Sequence, residues 1–408
     1  MNISKRSKEI QESPIRKLKP YADQAIAEGV KVYFINIGQP DIETPQPVWD
    51  AFKTFDEKVL SYGPAQGLPE LRQAIADYFS SYDIPLNMDN VIITIGGSEA
   101  IHFAFNVVAD VKEDIIIPEP FYTNYNGFAS FADVNIVPLT LDVKSGFRLP
   151  PVEDIESRIN GKTRAILLCS PNNPTGTVYT AEEIERVIYL VKKHDLFLIS
   201  DEVYKEFIYD GEKHVSILEY EEINDRAIVV DSISKRFSSC GARIGAVITR
   251  NPDVFQSVLK FAQARLCPPT LEQKAAVAAY RMGRGYFDPV KREYQNRRDV
   301  LFAGMEDIPG VVMHKPRGAF YIIVKLPIKD SEHFVRWMLT DFRYENETVM
   351  VAPAQGFYST PGKGANEVRI AYVLKEDDLK RAIKVLRAGL EEYQRLFGSA
   401  HSSRLDLS

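Results

Sequence analysis

The sequence predicts an α/β protein: a large domain with a mostly parallel sheet flanked by helices, and a smaller α+β domain. Three observations carry this expectation. The first is a set of short Val/Ile/Leu-rich runs: VIITIGG (91–97), DIIIPEP (114–120), RAILLCS (164–170), LFLISDE (196–202), AIVVDSIS (227–234) and RIGAVIT (243–249). Several lack polar alternation, as strands covered on both faces do. The second is helical periodicity between the runs, as in SEAIHFAFNVVADV (98–111) and AEEIERVIYLVKKH (181–194). Parallel strands need such crossovers, so strand–helix alternation reads as an α/β sheet. The third is a change of pattern after about residue 285. A charged helix (286–305) leads into the strands AFYIIVKL (319–326) and EVRIAYVL (367–374), with helices at 331–342 and 376–396.

These elements divide the chain into a large domain, 45–285, and a small one made of 1–44 and 286–408. The first segment is assigned to the small domain because one helix and one strand before Pro40 cannot enclose a core alone. The polar tail GSAHSSRLDLS (398–408) is expected to fray. A length of 408 residues exceeds one ordinary domain, and 45% hydrophobic with 26% charged residues is a globular balance. The formal charge of −6 disfavours a nucleic-acid or membrane-surface partner. Cys169, Cys240 and Cys267 are few and scattered, which argues against a disulfide framework and for a reducing compartment. No CxxC or Cys/His cluster suggests a metal. The basic N-terminus lacks the apolar core of a secretory signal, and no run is long enough to span a bilayer. A cytoplasmic location is the expectation.

In open α/β sheets, ligands sit beyond the carboxyl ends of the strands. The residues there are polar: Gly96-Gly97-Ser98-Glu99, Pro118-Glu119-Pro120, Ser170-Pro-Asn-Asn173-Pro, Ser200-Asp201-Glu202 and Ser232-Ile-Ser234-Lys235. One pocket built from all of them is expected. Gly97 and Ser98 open a helix, where free N–H groups and the helix dipole suit a phosphate, although alone the motif is weak and a plain glycine turn capped by Ser98 is the readier explanation. Ser170-Pro-Asn-Asn-Pro-Thr-Gly176 is more specific: two prolines and a glycine fix a loop from which Asn173 can present its amide. Asp201, at the end of an apolar run, would suffer desolvation unless it faced a cation. A helix cap is its alternative. Lys235, between serines after a buried run, is a poor solvated lysine, and an amine with a lowered pKa can act as a nucleophile. Arg243 suits bidentate phosphate recognition.

The set GGSEA, SPNNPTG, SDEVY, SxSK and GxRIG, in this order and spacing, resembles the class I and II aminotransferases of the aspartate-aminotransferase fold. The resemblance runs from INIGQPDIETP to NEVRIAY and implies a pyridoxal-phosphate (PLP)-dependent transferase fold. It further implies that Lys235 holds PLP as a Schiff base and shuttles a proton, with Asp201 keeping the pyridine nitrogen protonated. Asn173 and Tyr204 would bond the ring oxygen. Gly97, Ser98, Glu99, Ser232, Ser234 and Arg243 lie where the family cradles the phosphate, Glu99 only through its backbone N–H. Tyr122 occupies the place of the ring-stacking aromatic. Arg369 matches the arginine that clamps the substrate α-carboxylate, and Gly38 the residue whose backbone closes over it. Tyr62 matches a tyrosine that reaches the neighbouring subunit's phosphate, which implies a homodimer with shared active sites.

The implied reaction is ping-pong transfer of an amino group from an L-amino acid to a 2-oxo acid, with aspartate the default donor. Alanine, aromatic amino acids and kynurenine are alternatives. A C–S β-lyase on the same scaffold and a non-catalytic PLP-binding regulator are the competing readings. No residue for the substrate side chain stands out. Arg265, Arg317 and Lys31 are candidates only by elimination, each with an ordinary structural reading, and ARLCPPTLEQ (264–273) reads as a substrate-proximal loop.

Overall fold

The structure is a computed structural model that describes residues 2–398. The expectation for the tail concerns residues almost all outside that range.

The strands are β1 (Lys31–Phe34), β2 (Val91–Ile95), β3 (Asp114–Glu119), β4 (Asn135–Thr140), β5 (Thr163–Cys169), β6 (Phe197–Asp201), β7 (Ala227–Ser232) and β8 (Ile244–Ile248). Five more follow: β9 (Val312–Met313), β10 (Tyr321–Lys325), β11 (Glu347–Met350), β12 (Ala352–Pro353) and β13 (Glu367–Ala371). A seven-stranded sheet takes the order β2-β8-β7-β6-β5-β3-β4. Pairs among β3 to β7 are parallel, and β8 alone runs against its neighbours β7 and β2. The mostly parallel sheet expected from the sequence is therefore present.

Both faces of this sheet are buried, and alternation along each strand divides its side chains between two cores. Ile166, Leu168, Leu198 and Val229 enter one core. Ala165, Leu167, Ile199, Ile228 and Val230 enter the other. That division explains the unbroken apolar runs. The helix Ala181–Lys193 covers the first face with Ile184, Val187, Ile188 and Val191. Thr180 and Glu183 form its capping box, and acids lead its first turn while lysines close its last. The helix Gly96–Val108 covers the second face.

Strand β4 is an addition to the sequence reading. NIVPLT is only partly buried, as an edge strand is, and Pro138 is tolerated because no further strand needs its N–H. Its mixed polarity hid it among the apolar runs.

The later part of the chain forms an antiparallel sheet, β12-β13-β10-β9, with the helices Phe287–Glu306, Ser331–Thr340 and Glu376–Phe397. β1 pairs in parallel with β11, which ties residues 31–34 to 347–350. A third core, including Leu18, Tyr33, Leu301, Tyr321, Val349 and Leu386, joins these segments. Among the described residues no helix is long and apolar enough to cross a membrane, and no group of three metal-ligating side chains occurs.

Candidate active site

A cavity of about 410 Å³ opens at the carboxyl ends of β2, β5, β6 and β7. Because β8 is antiparallel, the residues before it reach the same side. The antiparallel strand thus brings Arg243 to the pocket that the parallel strands define.

At the end of β2 the chain turns at Gly96, with φ +72°, directly into the helix Gly96–Val108. A Cβ at Gly96 would stand 2.4 Å from the Arg243 guanidinium, so glycine is what allows that cation to lie against the first turn. Gly97 and Ser98 line the cavity. The Glu99 side chain turns back: its carboxylate accepts the Ile95 N–H at 2.8 Å and pairs with Arg265 at 3.4 Å. Burial pushes the Glu99 carboxyl up, against the Ile95 N–H and Arg265.

After β5, the loop 170–176 closes on itself. The Asn172 side chain accepts the Thr175 N–H and hydroxyl at 3.2 and 3.0 Å, and the Gly176 N–H donates to the Asn172 carbonyl at 2.9 Å. Gly176 has φ +71°, and a Cβ there would meet Pro316 at 2.5 Å and the Tyr321 carbonyl at 2.8 Å. Gly176→Ala is expected to destabilise the protein by roughly 2–4 kcal/mol, combining left-handed strain with overpacking. Denaturant unfolding of the two proteins checks this, and equal midpoints would contradict it.

The loop leaves Asn173 buried at the cavity wall, where its side-chain oxygen accepts Arg369 Nη1 at 3.0 Å. Arg369 comes from β13 and is 2% exposed. Its Nη2 donates to the Asn36 carbonyl at 2.5 Å, and its Nε has no partner among the described residues. Burial pushes its pKa down, yet a guanidinium stays charged, so a buried cation faces the cavity without a carboxylate. Such a site favours an incoming anion.

Asp201 ends β6 at 8% exposure. Its carboxylate accepts the Tyr125 hydroxyl at 2.7 Å and the Val203 N–H at 3.3 Å. Desolvation raises its pKa from 3.8 to about 6, with the Tyr125 hydrogen bond opposing. Tyr204 shares a hydrogen bond with Tyr321 at 2.9 Å, and burial holds its hydroxyl well above the usual range.

Ser232 ends β7 and caps the short helix Ile233–Arg236, accepting the Ser234 N–H at 3.2 Å. Its hydroxyl also donates to the Ile244 carbonyl at 2.9 Å. Lys235 then points inward: Nζ donates to the Gly38 carbonyl at 2.9 Å and lies 3.7 Å from Cys240 Sγ. Burial alone would lower the Lys235 pKa, but attraction to Tyr321, Cys240 and Tyr122 outweighs it, and the direction is upward. The amine lowered by burial that the sequence suggested is therefore corrected: its polar neighbours favour the charged form.

Gly38, Gly97, Ser98, Tyr122, Asn173, Asp201, Tyr204, Ser232, Ser234, Lys235, Arg243 and Arg369 all line this one cavity. Glu99 and Tyr62 do not. Tyr62 is 81% exposed and lies in a separate surface depression with Thr270 and Lys274. The expected pocket wall at Glu119 is also absent. That buried carboxylate instead accepts the Ser359 and Thr360 N–H groups at 2.6 and 3.1 Å.

The three cations named by elimination have structural partners away from the cavity. Arg265 donates to the Ile93 carbonyl at 3.0 Å, Arg317 pairs with Asp210 at 2.8 Å, and Lys31 pairs with Asp378 at 3.3 Å. Segment 264–273 does not line the cavity within this chain. Sequence reasoning missed Tyr125, Tyr321, Cys240, Ile15 and Arg16, which all line it. Tyr125 lies three residues after Tyr122, a spacing that could have paired them. The others carry no local signal.

The model of the family described as aminotransferase class I and II matches residues 31–386. An aspartate aminotransferase of Sulfurisphaera tokodaii is 33% identical over 377 residues, covering 88% of this chain and 90% of the relative. An aromatic-amino-acid aminotransferase of Thermococcus litoralis is 31% identical over 405 residues, covering 96% and 99%. The solved structure of an alanine aminotransferase from Pyrococcus furiosus superposes with a TM-score of 0.87 at 28% identity, covering 96% and 100%. Matching along nearly its whole length, the chain belongs to the class I and II aminotransferase family.

Proposed function

We propose that this PLP-dependent aminotransferase takes aspartate as its amino donor and passes the amino group to a 2-oxo acid in a ping-pong cycle, with Lys235, Asp201 and Tyr204 as catalytic residues. The observation that carries the reading is the common cavity of Lys235 and Arg369, an amine and an unneutralised buried guanidinium, with Asp201 in its wall. The cavity's donors suit PLP. A helix N-terminus with Arg243 against it fits the phosphate, and a desolvated carboxylate fits a cationic ring nitrogen.

Bound PLP supplies an aldehyde for the amino group and an electron-withdrawing ring. Lys235 would hold the group through its amine and, once the substrate's amino group had displaced that amine, would move the proton at the substrate's Cα. Asp201, steadied by Tyr125, is the counter-ion for the protonated ring nitrogen. Tyr204 and the free amide nitrogen of Asn173 bond the ring oxygen. Backbone N–H groups of Gly97, Ser98 and Glu99, with Ser232, Ser234 and Arg243, hold the phosphate. Tyr122 covers a ring face. Arg369 and the Gly38 backbone orient the α-carboxylate.

The finer organisation is part of the same proposal. Residues 45–285 act as the cofactor domain, and 1–44 with 286–408 as the smaller one. Tyr62 serves the pocket of a second copy in a homodimer, a reading supported by the exposed apolar run Val59, Leu60 and Tyr62. The enzyme works in the cytoplasm, which suits its three unbridged cysteines.

Adding aspartate to the PLP-loaded protein should convert the yellow cofactor band to the pyridoxamine form. A band that never converts with any L-amino acid would overturn the reading, and pyruvate release from a thioether substrate would favour the lyase. Arg369→Ala is expected to raise the KM for the donor by roughly 100-fold, the scale of a lost charge-assisted pair, with a smaller change in kcat. An unchanged KM in steady-state kinetics would contradict the carboxylate clamp.

A further inference from the structure

Charge at the cavity is unevenly distributed. Among the described residues, Arg16, Lys235, Arg243 and Arg369 line it, against the single carboxylate of Asp201, which Tyr125 already bonds. On the reading above, Lys235 and Arg243 serve the cofactor and Arg369 the α-carboxylate. Arg16 is left over. Among the described residues its guanidinium has neither an ion pair nor a hydrogen-bond acceptor, unlike Arg265, Arg317 and Lys31.

The backbone carrying Arg16 is fixed. Pro14 packs against Gly356, where a Cβ would come within 2.5 Å of the proline ring. Lys17 pairs with Glu332, and Leu18 is buried in the core of the smaller sheet. The Ile15 carbonyl accepts Asn36 Nδ2 at 3.1 Å, and the Asn36 carbonyl in turn accepts Arg369 Nη2. Two hydrogen bonds through one residue therefore link the α-carboxylate arginine to the peptide that precedes Arg16. Ile15 packs into the core while Arg16 stays at the open side of the cavity.

We propose that Arg16 is a specificity-determining residue, which binds the second carboxylate of a dicarboxylic amino acid whose first carboxylate is held by Arg369. This rests on the aminotransferase reading and deepens it: it names the group that selects an acidic donor. The guanidinium fork matches a carboxylate, and its exposure keeps the gain modest until substrate covers it.

Calorimetry on the PLP-loaded protein tests this without turnover, using succinate, a four-carbon dicarboxylate with no amino group, and butyrate, its monocarboxylate counterpart. Arg16→Ala should weaken succinate about tenfold and leave butyrate unchanged, with Arg16→Lys in between. In kinetics, kcat/KM for aspartate should fall by a similar factor, mainly through KM, while alanine is unaffected. Unchanged succinate affinity, or an equal loss for both ligands, would overturn the proposal. So would a wild-type protein that binds butyrate as tightly as succinate, even with normal transamination of neutral donors. A protein that converts no amino acid contradicts the aminotransferase reading instead, and the succinate–butyrate comparison still decides the role of Arg16.

Discussion

Lys235→Ala is expected to reduce transamination by at least ~10³-fold, because one side chain supplies both the bond to the cofactor and the proton transfer at Cα. Its surroundings fix it for that task. Ser232 caps the short helix that carries Lys235, and the Gly38 carbonyl holds Nζ at 2.9 Å. The variant should still fold, since Lys235 sits at a cavity wall and belongs to none of the three apolar cores. It should also still bind PLP without a covalent bond, through the phosphate cradle. Single-turnover kinetics with aspartate, alongside a cofactor-binding titration, separate the two effects. Activity within tenfold of wild type would remove Lys235 from the chemistry. Loss of PLP binding together with fold would show that it is structural.

Asp201→Asn is expected to lower kcat by about 10³-fold, since the amide cannot serve as counter-ion to a cationic ring. The same substitution should stabilise the apoprotein. Folding raises the Asp201 pKa from 3.8 to about 6 through desolvation. Between those values the native state keeps a proton that the unfolded chain has lost. The stability linked to this group is therefore greatest below about pH 4, falls as pH rises to about 6, and is flat above. At pH 7 the difference is about 3 kcal/mol, at about 1.36 kcal/mol per unit. Denaturant unfolding of cofactor-free wild type and Asp201→Asn from pH 4 to 7 should give curves that diverge as pH rises, with the variant the more stable. Parallel curves would show that Asp201 is not desolvated in the native state. The opposed effects on stability and rate express a site held for function at a cost to the fold.

The sequence was most informative where chemistry and backbone shape coincide. Asp201 ends a strand buried on both faces, Lys235 and the loop 170–176 each follow one closely, and an apolar run followed abruptly by polar residues is visible without coordinates. Gly96 and Gly176 were visible as glycines, but their reasons were not. Each answers a side chain or backbone brought from more than a hundred residues away, Arg243 in one case and Pro316 in the other. Long-range partners were the general blind spot. Tyr321 is an aromatic in a buried strand until the fold places its hydroxyl 2.9 Å from that of Tyr204. Arg16 sits in a basic stretch of ordinary appearance until Lys17 is seen to be paired and Arg16 is not. The Lys235 pKa direction was misjudged for a related reason. Neighbours such as Tyr321, invisible from local sequence, decide it. Strand β4 escaped because an edge strand need not be uniformly apolar.

The proposed mechanism depends first on the bond between Lys235 and the cofactor. The most direct measurement is borohydride reduction of the PLP-loaded protein, followed by proteolysis and mass spectrometry of the peptides. A pyridoxyl group on Lys235 in near-stoichiometric yield is expected. It should be absent when aspartate has first converted the cofactor to the pyridoxamine form. Stoichiometric label on another lysine, such as the buried Lys205, or none on Lys235, would contradict it.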